Sequence, residues 1–215
     1  MIFHVLASII LFLISLFCYF YLKFQQTKHL KFEKNKKINV VTVAGSGGHT
    51  TELIRLLKTL ESEIESARIY FYVADTDKHS MNKIEKFVED SKMVKFAKVI
   101  KTPRAREVGQ SYLTSIFSTL KQTAFCVKPI ILQNPDFVLV NGPGTCLPIL
   151  LLCLLNGFVR GKRCSTIFVE SFCRVQEMSL TGAIIYNFRL VDKLFVQWPE
   201  LAGKFPRANY VGRIL

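Results

Sequence analysis

Acidic residues are scarce: 16 Asp and Glu stand against 29 Lys and Arg, a formal net charge of +13. That imbalance points to a negatively charged partner, whether nucleic acid, anionic lipid or a phosphorylated ligand. The sequence has neither an aromatic ribonucleoprotein signature nor zinc-finger spacing, which turns the expectation away from nucleic acid. No two of the six cysteines (Cys18, Cys126, Cys146, Cys153, Cys164 and Cys173) form a C-x-x-C pair. Most sit in apolar surroundings and read as small buried hydrophobes, not as a metal site or redox pair. Internal repeats and low-complexity tracts are missing as well, and 215 residues bound the chain at one domain, two at most.

Charge is missing altogether from residues 2–22, IFHVLASIILFLISLFCYFYL, unless His4 is protonated. About 20 apolar residues cross a bilayer. No basic residue precedes this run and no clear small-residue cleavage site follows it, so a retained transmembrane anchor over 1–22 fits better than a cleaved signal peptide. The next stretch, 23–37, carries six lysines against Glu33. Basic flanks stay cytoplasmic, so the N-terminus is expected in the lumen and the basic linker 23–37 and domain 38–215 on the cytosolic side. Residues 92–128 form a second basic cluster, with eight Lys and Arg against one acid.

Beyond the linker, short apolar runs rich in β-branched residues recur at 38–44, 68–74, 94–100, 136–140, 165–169 and 193–197. Such near-continuous runs predict strands buried on both faces. Helical spacing lies between them. Leu53, Leu56, Leu57, Leu60 and Ile64 share one face; Met81, Ile84 and Val88 share another, behind Asp77 as an N-cap. Tyr112, Ile116, Phe117, Leu120 and Ala124 form a third stripe. Strand–helix alternation predicts a doubly wound parallel α/β sheet. Residues 147–159, opening LPILLLCLL, are too short to span a bilayer and are expected as a buried helix, the alternative being a helix on the membrane interface.

The first strand breaks into Gly45-Ser46-Gly47-Gly48-His49-Thr50. Glycines let backbone approach a ligand, and a following helix aims free N–H groups and its positive end at the turn. A dinucleotide fingerprint needs a third glycine where Thr50 stands. His49 departs from that fingerprint. It is read either as a general base or phosphate ligand, or as a helix-start histidine facing solvent. The fourth strand ends in a second glycine turn, Asn141-Gly142-Pro143-Gly144-Thr145, which would flank the same crevice. Glu170, after the fifth strand, is read as orienting a sugar hydroxyl or the histidine, or as an ion pair with Arg174 one helical turn on. Arg104 and Arg106 suit bidentate phosphate binding, and equally a solvated or lipid-facing loop. Asp75-Thr76-Asp77 spells a divalent-ion motif, but Asp77 reads as a helix cap, so neither metal nor cofactor is expected.

Taken together, Gly45–Thr50, the Asn141–Cys146 turn, Glu170-Ser171-Phe172, Val196-Gln197-Trp198-Pro199 and Tyr210-Val211-Gly212 resemble the membrane-anchor subunit of the two-chain dolichyl-diphosphate N-acetylglucosamine transferase. More distantly, the chain is similar to the N-terminal half of the bacterial peptidoglycan transferase that builds lipid II. The resemblance covers essentially the whole chain. It implies a Rossmann-like half of a GT-B enzyme, whose two such domains face each other across a cleft.

What the resemblance implies further is specific. A separate partner would bind UDP-GlcNAc, and this chain would present dolichyl-diphosphate-GlcNAc at the cytosolic face of the endoplasmic reticulum. An inverting transfer would form a β-1,4 bond with His49 as base and Glu170 as second candidate. The two glycine turns, with Arg104 or Arg106, would hold the diphosphate. Only 178 residues follow the linker, enough for one such domain. Arg213-Ile214-Leu215 is expected to dock the donor-binding partner. Two other classes stay open: a self-sufficient membrane-tethered nucleotide-binding enzyme, and a recruitment scaffold with no active-site role.

Overall fold

The computed structural model describes residues 37–60, 67–91, 96–107, 109–142, 144–162 and 164–213. The expected anchor 1–22, nearly all of the linker, Cys18, Pro143, Ile214 and Leu215 lie outside the described residues. Among the described residues, no helix is long and apolar enough to cross a membrane.

Among the described residues, six strands alternate with six helices: β1 Asn39–Ala44, α1 Gly48–Thr59, β2 Arg68–Ala74, α2 Lys78–Asp90, β3 Ala97–Thr102, α3 Tyr112–Gln133, β4 Phe137–Asn141, α4 Cys146–Val159, β5 Ser165–Val169, α5 Leu180–Asn187, β6 Lys193–Phe195 and α6 Pro199–Lys204. They form one sheet of order β3-β2-β1-β4-β5-β6, parallel at every pairing. Alternation along β1 feeds two cores. Val40 joins Leu53, Leu57, Phe71 and Ile84 beneath α1 and α2. Val41 and Val43 join Ile130, Ile149, Leu150 and Ile185 beneath α3, α4 and α5. Fully burying one such side chain contributes about 1.5–3 kcal/mol, so these two layers hold the sheet's helices in place.

The expected architecture is present, with two physical differences. β3 begins three residues later than its apolar run suggests and is only half-buried, as befits an edge strand. The stripe Ile116, Phe117, Leu120 and Ala124 does not face the core. Ile116, Phe117 and Leu120 are exposed, Phe117 by 76%. The buried side of α3 is instead Ser115, Gln122, Cys126, Ile130 and Gln133. The buried glutamines have partners in the sheet, Gln122 donating to the Thr102 hydroxyl at 3.4 Å, and half-buried hydroxyls beside them meet the loop after β3. Ser118 and Thr119 donate hydroxyls to the Ala105 oxygen, at 2.6 and 3.2 Å. Tyr72 donates to Gln133 at 2.7 Å.

α4 divides similarly. Ile149, Leu150, Cys153 and Leu154 are buried, while Leu151, Leu155 and Val159 are exposed. All five described cysteines are free, and four are buried as expected, with burial pushing the Cys126 thiol up to about 12. Cys173 is exposed.

Candidate active-site cleft

β1 and β4 lie side by side, yet α1 leaves to one face of the sheet and α4 to the other. Helices that diverge this way open a crevice at the strands' carboxyl ends. A cleft of about 730 Å³ lies there. Gly45, Ser46 and His49 line it from the first turn, Gly144 and Thr145 from the second, and Arg104 and Arg106 from the loop after β3. Seven of the residues expected at the site therefore meet in one cavity.

The other expected residues shape the cleft from behind or lie apart from it. Gly47 takes φ 70° as the N-cap of α1, a conformation that favours glycine, and Gly48 opens that helix. Thr50 is buried and its hydroxyl donates to the Gly45 carbonyl at 2.6 Å, which ties down the loop. Asp77, which does line the cleft, also caps α2, accepting from the Ser80 N–H at 3.0 Å. Arg104 pairs with Glu107 at 3.2 Å, and Arg106 donates to the Gln110 carbonyl at 3.0 Å. These contacts hold the two cations in place at the cavity wall.

His49 is fixed by three neighbours. Gly142 has φ 62°, and a Cβ there would lie 2.5 Å from the imidazole Cε1. The second turn thus has glycine at this position because the histidine ring occupies the space. Asn141 donates through Nδ2 to the Val169 carbonyl at 3.2 Å. Its Oδ1 must therefore face His49 Nδ1, 3.3 Å away. On the other side, Glu52 Oε2 lies 3.5 Å from the same nitrogen. Both neighbours of Nδ1 are acceptors, so Nδ1 carries the proton of the neutral ring. The lone pair then sits on Nε2.

Glu52 was not among the sequence candidates, although His49-x-x-Glu52 puts the two on one helical face. Its Oε1 accepts from Ser171 Oγ at 3.0 Å and from the Phe172 N–H at 3.2 Å. Burial pushes this carboxyl up, but bonds from His49 and Ser171, and the attraction that the His49 ring exerts when protonated, outweigh it, leaving the group below its ordinary value.

Glu170 occupies a different place. It is fully buried and is not among the residues that line the cleft. Oε1 accepts from the Ser171 N–H at 3.0 Å, and Oε2 accepts from Ser179 N and Oγ, each at 3.0 Å. Burial raises its pKa; those bonds and Arg174 only partly offset it. Residues 170–178 form turns and no helix, so the helical pairing with Arg174 does not arise. Glu170 braces the start of α5, and Glu52 is the carboxylate beside His49.

These features can be set against known proteins. A family model described as "Oligosaccharide biosynthesis protein Alg14 like" matches residues 40–214. The chain belongs to the Alg14 family. A human relative, named UDP-N-acetylglucosamine transferase subunit ALG14, is 42% identical over 186 residues, covering 84% of each chain. The relative of the same name from Schizosaccharomyces pombe is 39% identical over 212 residues, covering 97% of this chain and 94% of its own. Among solved structures, MurG of Acinetobacter baumannii superposes with a TM-score of 0.53 at 16% identity, over 83% of this chain and 44% of that one. LpCGTa in complex with UDP gives 0.52 at 15%, over 84% and 53%. At such identities the likeness is one of fold. The superposition covers less than half of the MurG chain.

Proposed function

We propose that this chain is the acceptor-side subunit of a heteromeric UDP-GlcNAc transferase that adds the second GlcNAc, β-1,4, to dolichyl-diphosphate-GlcNAc. The relatives' name as transferase subunits supports the reaction class and a separate donor-binding partner. The observation that carries the reading is the cleft itself. Two arginines and two strand-end turns surround one histidine whose protonated nitrogen faces inward, leaving Nε2 for chemistry.

On this reading Arg104, Arg106 and the N-terminal end of α1 hold the acceptor diphosphate. Nε2 of His49 accepts the proton of the attacking sugar hydroxyl. That oxygen forms the new bond to the donor's anomeric carbon as the bond from this carbon to the UDP oxygen breaks. UDP leaves with the electron pair, in the site of the partner. Glu52 faces the ring where positive charge develops and stabilises it.

An apolar face adjoins the cleft and supports the lipid nature of the acceptor. α3 exposes Leu113, Ile116, Phe117 and Leu120, and α4 exposes Leu151, Leu155 and Val159. No acid occurs in either helix, and Lys121 and Lys128 lie on α3. On our reading this face rests on the cytosolic leaflet of the endoplasmic reticulum membrane, to which the sequence of residues 1–22 suits an anchor. Transferase assays of the chain alone, the donor-binding partner alone, and both together test the proposal. Activity only in the mixture is expected; full activity from the partner on an unrelated membrane anchor would make this chain a scaffold.

A further inference from the structure

We propose that the C-terminal segment Tyr210–Arg213 is a strap that positions the His49 ring, with Arg213 clamping the Phe172–Trp198 ring pair so that the Phe172 backbone holds Glu52 against His49. The proposal rests on the reading of His49 as the acceptor base.

The strap is seated on the sheet. Asn209 donates its N–H to the Leu194 carbonyl at 2.7 Å and accepts from Val196 N at 2.9 Å, so the segment before the strap runs along the edge at β6. From there the Arg213 guanidinium returns over two aromatic rings. Its carbon lies 4.5 Å from the Trp198 ring centre and 5.9 Å from that of Phe172. The rings themselves are 5.0 Å apart. Among the described residues no carboxylate pairs with Arg213, so aromatic faces are what fix this cation.

Phe172 is gripped at both of its peptide groups. Trp198 Nε1 donates to its carbonyl at 2.7 Å, and its N–H donates to Glu52 Oε1 at 3.2 Å. Ser171 adds a hydroxyl to the same oxygen. Glu52 therefore cannot rotate away from His49 without breaking bonds to a turn that Trp198 holds and Arg213 covers. One oxygen of Glu52 is spent on the turn and the other faces Nδ1, so the carboxylate passes the turn's position to the ring. In this arrangement Arg213, Trp198 and Glu52 are positioning residues that act through His49.

The test uses the full chain assembled with its donor-binding partner, comparing Arg213→Ala, Arg213→Lys, Glu52→Gln and the double variant Glu52→Gln/Arg213→Ala. Arg213→Ala is expected to lower kcat per assembled complex about two- to fivefold, the scale of an exposed cation–π contact, with acceptor KM unchanged. Arg213→Lys, which keeps the cation, restores most of the loss. In the Glu52→Gln background, Arg213→Ala adds no further loss, because both act on one ring. Fully additive losses, or an effect on assembly alone, overturn the strap. A second readout needs no turnover: the His49 ring NMR signals of the full chain in detergent. They are expected to move in the same direction in Arg213→Ala and Glu52→Gln, and an unmoved ring in Arg213→Ala overturns the proposal. Absence of transfer by the wild-type complex would instead sink the acceptor-side reading and leave the ring signals to decide the strap.

Discussion

His49 owes its tautomer to neighbours that are all acceptors and its position to a residue with no side chain. Asn141 and Glu52 both face Nδ1, and Gly142 leaves the volume that the ring fills. Gly142→Ala should therefore displace the ring. We expect turnover to fall about a hundredfold, the cost of misplacing a reacting group by an ångström. Stability should fall by about 1–2 kcal/mol from left-handed backbone on a residue with a Cβ, read as a lower midpoint of chemical denaturation. Glu170 makes a different prediction. Its carboxyl titrates above its ordinary value in the fold, because burial disfavours the charge. The native state thus holds a proton that the unfolded chain has released, and stability drops as pH rises through that window. Thermal midpoints measured across mildly acidic pH should show this drop, and Glu170→Gln should lack it. The glycine turns and His49 were legible in the sequence because spacing after a strand marks a helix start. The roles of Glu52 and Glu170 were not, because burial separates a brace from a cleft residue and spacing alone does not report it.

At the scale of elements, α3 is the instructive case. Helical periodicity correctly identifies an apolar face at Ile116, Phe117 and Leu120, but periodicity is silent on what covers that face. The core side of α3 is partly polar because Gln122 donates to the Thr102 hydroxyl at 3.4 Å and Gln133 accepts from the Tyr72 hydroxyl at 2.7 Å. α4 was expected as a buried helix, with a membrane-interfacial helix as the alternative; one of its faces is buried and the other is exposed. If the exposed sides of α3 and α4 meet the bilayer, Phe117→Glu with Leu155→Glu should raise the acceptor KM roughly tenfold, by removing about 1–2 kcal/mol of apolar contact. Both side chains are exposed, so the thermal midpoint and partner assembly should stay close to wild type. An unchanged acceptor KM in liposomes would assign this face to something other than the membrane.

At the largest scale, the described residues form one doubly wound sheet whose strand order puts a switch point between β1 and β4. Six apolar runs in sequence already implied that sheet; the order of its strands and the convergence of the loops after β1, β3 and β4 needed the structure. That convergence brings together Ser46, His49, Thr145, Arg104 and Arg106, drawn from segments up to a hundred residues apart. On the proposed reading, the cations, the helix end and His49 form the acceptor site, and the donor is left to the partner. The most direct measurement is the transfer rate of the assembled two-subunit complex carrying His49→Ala, with acceptor KM determined alongside. A loss of about 10²–10⁴ in kcat, the usual contribution of a general base, with intact assembly and little change in acceptor KM is the expected result. Near-normal turnover by the assembled His49→Ala complex would contradict the assignment of the acceptor base to this chain.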